Sequence, residues 1–137
     1  MVEHGSAAAL LGLRDPKSDL AVAIGAGLPR TALGRLARAL APADARFKFR
    51  LVPQAVLAEQ RGVKRLPPEQ SALLARVARA LSFALEIYGD PEKARRFLFG
   101  PHMMLGNQAP IDVILDADDG ADRVIQLLGR AAYGGAV

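Results

Sequence analysis

The sequence predicts an all-α fold, and three observations carry that prediction. No run of alternating β-branched residues or hairpin signal appears in the 137 residues, so the period-2 pattern of a half-buried strand is missing. One stretch, Pro67 to Tyr88, repeats apolar residues at helical spacing over its whole length. Pro29, Pro53, Pro67, Pro91 and Pro110 each stand where a helix would begin, a place that tolerates proline because the first helical N–H has no partner. The architecture that follows is a set of helix-turn-helix-like N-terminal helices, a long central helix, and a small C-terminal helical domain.

The elements can be justified in order. After an N-terminus expected to be loose, Lys17 to Ile24 reads as a short helix broken by Gly25-Ala26-Gly27. Pro29 opens a second helix with Leu33, Leu36, Ala37 and Leu40 on one face and Arg30, Arg35 and Arg38 mostly on the other, and Pro42 ends it. Pro42 to Arg50 and Pro53 to Arg61 are two short helical segments joined at Leu51-Val52, with Gly62 closing the second. In the central helix, Leu74, Val77, Leu81, Ala84 or Leu85, and Tyr88 form a main seam. Ala80, Phe83 and Ile87 form a second, so burial on two sides is expected. Gly89 suits the left-handed position after a helix, Asp90 a cap and Pro91 the next start. That helix turns Ala94, Phe97 and Leu98 inward and Arg95 and Arg96 outward, then stops at Gly100-Pro101. A loop, His102 to Ala109, leads to a short helix from Pro110 to Leu115. Asp118 or Asp119 then caps a last helix with Val124, Leu127, Leu128 and Ala131 on its apolar face, and Gly134-Gly135 ends it.

Composition narrows the class. Apolar residues make up 51% and charged residues 23%, with a mean hydropathy of +0.16, which excludes a disordered chain. The absence of cysteine excludes a disulfide scaffold, a thiolate zinc site and a thiol nucleophile, and suits a reducing cytoplasm. The longest apolar run, Leu20 to Leu28, falls short of the about 18–20 residues a membrane helix needs, so no membrane partner is expected. No basic region precedes the apolar Ala7 to Leu11, so no secretory signal is expected either. Charge is unevenly placed: Met1 to Arg65 hold 11 Lys/Arg against 5 Asp/Glu, net +6, and the remainder 7 against 9, net −2. Such a split suggests a polyanion as the partner of the first half and a different partner for the second; a solvated basic face is the alternative.

Two motif-like stretches fail on chemistry. Ala21 to Arg30, with Gly25 and Gly27, looks like the start of a dinucleotide-binding fingerprint, but Arg30 stands where the third glycine should be and no second strand follows before Asp44. Asp116, Asp118 and Asp119 look like a calcium loop, but position 5 would be Gly120 and position 12 Leu127, neither able to ligate. Neither a cofactor nor a metal is expected. The only histidines, His4 and His102, have no serine near them in sequence, so the chain is not expected to be an enzyme. His102 reads as a loop residue, beside which Met103 and Met104 are adaptable apolar contacts for core or partner.

The segment from Pro42 to Arg65 has the layout of a helix-turn-helix. In that motif the second helix enters the major groove, where Gln54 and Gln60 would read bases, while Arg46, Lys48, Arg50, Arg61, Lys64 and Arg65 would hold phosphates. A solvated basic hairpin fits the same residues.

The second half carries a more specific pattern: Tyr88-Gly89-Asp90, Ala94, Phe97-Leu98, Pro101, Leu105-Gly106, Ala109-Pro110, Gly120, Val124, Leu127-Leu128 and Tyr133-Gly134, in that order. In this it resembles the C-terminal toxin-binding domain of the Xre/MbcA/ParS-type antitoxins of type II toxin-antitoxin systems. Gly27-Leu28-Pro29, Leu33, Leu36 and Leu66 to Ser71 also resemble that family's N-terminal helix-turn-helix domain, whereas Ala45 to Gly62 match it weakly. Phe97 stands where tryptophan is common, Asn107 replaces a second glycine, and Ala109 replaces a capping threonine.

The resemblance implies a helix-turn-helix DNA-binding domain over residues 1–65 and a toxin-binding domain over 66–137. It implies an antitoxin that neutralises a RES-domain toxin, a class that looks like ADP-ribosyltransferases and uses NAD, by plugging the active-site cleft with its C-terminal end. The toxin-binding residues would be Phe97, Met103, Met104 and Leu105, with the tail Tyr133, Gly134, Gly135, Ala136 and Val137 as the plug. It also implies a homodimer that binds operator DNA and represses its own operon. A stand-alone helix-turn-helix regulator without a toxin partner is the alternative.

Overall fold

The computed structural model describes residues 7–13, 20–59 and 61–133, and among them the fold is all-α, with nine α-helices and no strand. Contacts divide the chain inside the long helix, one unit ending at Ala78 and the other beginning at Arg79.

The first unit begins with α1 (Ala7–Leu10), which packs on α3 (Arg30–Leu40) and buries Ala8 and Leu11. The sequence alone leads one to expect a loose segment here. The apolar Ala7 to Leu11 instead finds cover on α3, and that burial offsets the cost of ordering a single turn. Helix α2 (Leu20–Ala26) runs later than the sequence suggests: Gly25 lies inside it, and Gly27, at φ 90°, is the residue that ends it. The predicted start at Lys17 lies outside the described residues. Helix α3 buries Leu33, Leu36, Ala37 and Leu40 as its spacing requires, together with Ala32.

The next segment departs from expectation. Residues 42–43 and 45–47 are turns, and only Lys48–Leu51 (α4) forms a helix before Gln54–Glu59 (α5). The Asp44 carboxylate accepts from Arg46 N–H at 3.0 Å and so draws the backbone into a turn in place of a helix start. Phe47 fixes the segment by burying its ring.

Beyond α5 the chain returns to the start of α3. Leu66 N–H donates to Leu28 O at 2.8 Å and Arg30 N–H to Lys64 O at 3.0 Å, pairing residues 28–30 with 64–66. The approach needs glycine at 27, where a β-carbon would sit 2.6 Å from Leu66 O. Helix α6 (Pro68–Tyr88) then begins, and its Ser71 hydroxyl accepts from Leu28 N–H at 2.8 Å while donating to Leu66 O at 3.3 Å. Ser71 is fully buried and is satisfied as both donor and acceptor.

The second unit holds the later turns of α6, where Ala80, Leu81, Ala84 and Leu85 are buried. Phe83 and Ile87, on the expected second seam, are half-buried, and Tyr88 is exposed. At the junction Gly89 takes φ 67°, and the Asp90 carboxylate accepts from Glu92 N–H at 3.2 Å to start α7 (Pro91–Phe99). Helix α7 packs on α8 (Pro110–Asp116), which packs closely on α9 (Gly120–Tyr133). Ile111, Ile114, Val124 and Leu128 fill that core. Among the described residues no helix is long and apolar enough to cross a membrane.

Candidate functional site

Two surfaces concentrate the chemistry, one in each unit. In the second unit it is built on residues 102–108, which close into a compact loop between α7 and α8. His102 O accepts from the N–H groups of both Leu105 (3.0 Å) and Asn107 (2.9 Å), and His102 N–H donates to Gln108 O at 3.1 Å. The His102 Nδ1 accepts from Met104 N–H at 3.3 Å, so the imidazole caps the single 3₁₀ turn Met103–Leu105. Gly106 and Asn107 follow at φ 65° and 64°, two successive left-handed residues that fold the chain back toward α8.

This loop presents Met103, 84% exposed, and Met104, 56% exposed, at its tip. Leu105, expected beside them on the partner surface, is only 6% exposed, because the 3₁₀ turn rotates it inward as the anchor of the loop. Phe97 is half-buried. Its ring lies 5.8 Å from that of Tyr88 and 6.1 Å from the imidazole of His102, edge-on to the latter, so an aromatic cluster supports the base of the methionine tip. Partial desolvation of the phenol, on a side chain that keeps exposed surface, raises the Tyr88 pKa above its usual value. Phe99 and Tyr88 add exposed aromatic surface that sequence periodicity assigns to the helices alone. Of the tail, Gly134, Gly135, Ala136 and Val137 lie outside the described residues; Tyr133 is the last residue of α9.

In the first unit the cations marked by the sequence separate into groups. Arg46 and Lys48 both stack against the Phe49 ring, at 5.6 and 5.3 Å from its centre, and Arg50 lies 5.4 Å from that of Phe47. Gln54 is exposed at the first position of α5, where a groove-reading residue belongs, but α5 has only six residues. Gln60 lies outside the described residues. Arg61 and Lys64 are exposed, while Arg65 donates from Nη1 to Gly27 O at 2.9 Å and so holds the 28–30 pairing together.

Helical spacing puts Arg30, Arg35 and Arg38 on the outer face of α3 and by itself gives them no role. The fold brings all three to a groove of about 440 Å³ that also takes Lys48 from α4 and Leu57 from α5. A signal is present in the sequence: Arg30, Gly34 and Arg38 recur every four residues, which sets a glycine between two arginines on one helix face.

Residues 83–134, nearly the whole described part of the second unit, match the family described as the antitoxin Xre/MbcA/ParS C-terminal toxin-binding domain. The chain is also similar to a protein named Antitoxin Xre from Yersinia enterocolitica, 35% identical over 71 residues. That stretch is 51% of this chain and 47% of the relative, so the match spans about half of each. The left-handed junction at Gly89, the Asp90 cap, the closed loop at Gly106 and the α8–α9 pair all lie within the matched stretch. Over residues 83–134, then, the chain is similar to the C-terminal toxin-binding domain of the Xre/MbcA/ParS antitoxins.

Proposed function

We infer that the chain is an antitoxin that neutralises a RES-domain, NAD-using toxin, with its C-terminal tail blocking the toxin's active-site cleft. The observation that carries this reading is the methionine tip. Two adjacent methionines are exposed on a hydrogen-bonded loop, and thioether side chains adapt well to a partner's surface. In this reading Met103, Met104 and the Phe97 cluster hold the toxin while Tyr133 to Val137 occupy the cleft where NAD must sit. NAD is the toxin's substrate, and the antitoxin carries no cofactor of its own.

The test is NAD consumption by the cognate toxin, with the full chain or with one lacking residues 133–137, alongside a pull-down. The truncated chain is expected to capture the toxin and to leave NAD turnover running. Full inhibition by the truncated chain at equimolar ratio would show that another surface blocks the enzyme.

The first unit is proposed to bind operator DNA as a homodimer and repress its own operon, which the basic face and the exposed Gln54 support. Replacing Arg61 and Lys64 by Ala should weaken binding to all duplexes and flatten its salt dependence. Gln54→Ala and Gln60→Ala should cost about 1–3 kcal/mol of specificity per good base contact. Equal shifts of operator fragment by parent and Arg61/Lys64 variant would leave a solvated basic hairpin, and a toxin-free regulator would be excluded by toxin capture.

A further inference from the structure

The groove over α3 shares only Lys48 with the cations already assigned to DNA, and its composition is one-sided. Arg30, Arg35, Arg38 and Lys48 line it with Thr31, and among the described residues no carboxylate lines it. Neither α3 nor α4 contains an acid. Four cations around one groove repel each other, and an anion seated among them relieves that repulsion.

Three of the four are held in place by contacts that do not fill the groove. Arg30 donates from Nη2 to Leu57 O at 3.4 Å. The stem of Arg35 lies over Gly12, where a β-carbon would strike it. Lys48 rests on the Phe49 ring. Cations positioned before a ligand arrives give up less side-chain entropy on binding it. The floor is Gly34, above which a β-carbon would meet nothing within 4 Å, so the space between the arginines stays open. A volume of about 440 Å³ exceeds what a single phosphate fills.

We propose that this α3–α4 groove is a phosphate-binding site that seats an anion carrying two or more phosphate groups, chemistry shared by a nucleic-acid backbone and a free polyphosphorylated molecule. Guanidinium forks suit it, because each can meet two phosphate oxygens at once. The groove adjoins the segment read for operator recognition, since Leu57 of α5 lines it and Arg30 N–H donates to Lys64 O, but its arginines are not among the residues assigned to that role.

The test uses the full chain, titrated by calorimetry with tripolyphosphate and by fluorescence anisotropy with a mixed-sequence duplex. Gly34→Glu puts a carboxylate on the groove floor, and since the position has open space and a helical backbone the fold is expected to survive, which the thermal midpoint checks. Gly25→Glu makes the same charge change on α2, outside the groove, where there is also open space. Gly34→Glu and Arg38→Gln should weaken binding about tenfold or more, as removal of charge-assisted hydrogen bonds to phosphate does. Gly25→Glu should stay close to the parent.

Weakening of the duplex alone identifies the backbone as the source, with a salt slope lowered by about one for each phosphate the variant no longer holds. Weakening of tripolyphosphate in a chain that binds no duplex identifies a free phosphorylated ligand, and removes the operator reading without touching this one. Two results would overturn the proposal: a parent that binds neither probe, or Gly34→Glu binding both no worse than Gly25→Glu.

Discussion

Gly120 and Val113 meet backbone to backbone. A β-carbon at 120 would collide with the Val113 carbonyl oxygen, and would lie 2.6 Å from the carbonyl carbon and 2.8 Å from Ile114 Cα. The first turn of α9 is therefore laid directly on α8, and that contact closes the second unit's core around Ile114 and Val124. Because the obstacle is helix backbone and cannot swing aside, Gly120→Ala should destabilise by about 3 kcal/mol, the upper range for an overpacked core. Denaturant unfolding measures it; an unchanged midpoint would mean the helices do not approach this closely.

The methionine tip and its anchor should respond in opposite ways. Met103→Ala with Met104→Ala removes exposed side chains and should leave stability within about 0.5 kcal/mol while weakening toxin capture. Leu105→Ala empties a buried site and should cost about 2–5 kcal/mol. A thermal melt paired with a toxin titration separates the two, and unaltered capture by the double methionine variant would remove the tip from the interface.

Asn107 has φ 64°, a conformation open to asparagine and glycine but strained for a β-branched side chain. Asn107→Val should lower stability by about 1–2 kcal/mol, and Asn107→Gly should be tolerated. Equal midpoints for the valine and glycine variants would contradict the left-handed turn.

Ser71→Ala would leave the Leu28 N–H buried and without its acceptor, 43 residues away in sequence. A destabilisation of about 1–3 kcal/mol is expected, the cost of an unsatisfied buried donor. Amide exchange at Leu28 gives a local readout: it should quicken in the variant, and unaltered protection there would mean the hydroxyl is not the acceptor.

Gly34→Ala should stabilise α3 by roughly 0.5–1 kcal/mol, since glycine in a helix interior is entropically costly and the added methyl meets nothing within 4 Å. A lower melting temperature would show that the groove floor is already filled.

What the sequence by itself determined is local. The Gly89-Asp90-Pro91 junction, the span of the long helix and the inward faces of α3 and α9 follow from capping chemistry and a 3.6-residue period, both acting over a turn or two of chain. The family pattern of the second half was legible for the same reason, since its marks are glycines, prolines and caps at fixed spacing. Tertiary structure decided the rest. Whether Leu105 faces the core or a partner depends on a 3₁₀ turn closed by His102, whose own orientation depends on Gln108 and Phe97. Arg65 reads as a phosphate contact, and its bond to Gly27 O appears only once the chain brings the two together. Arg30, Arg35 and Arg38 read as the solvated face of one helix until Lys48 and Leu57 arrive from two others. A helical period says which side chains share a face; only the packing of distant segments says what that face meets.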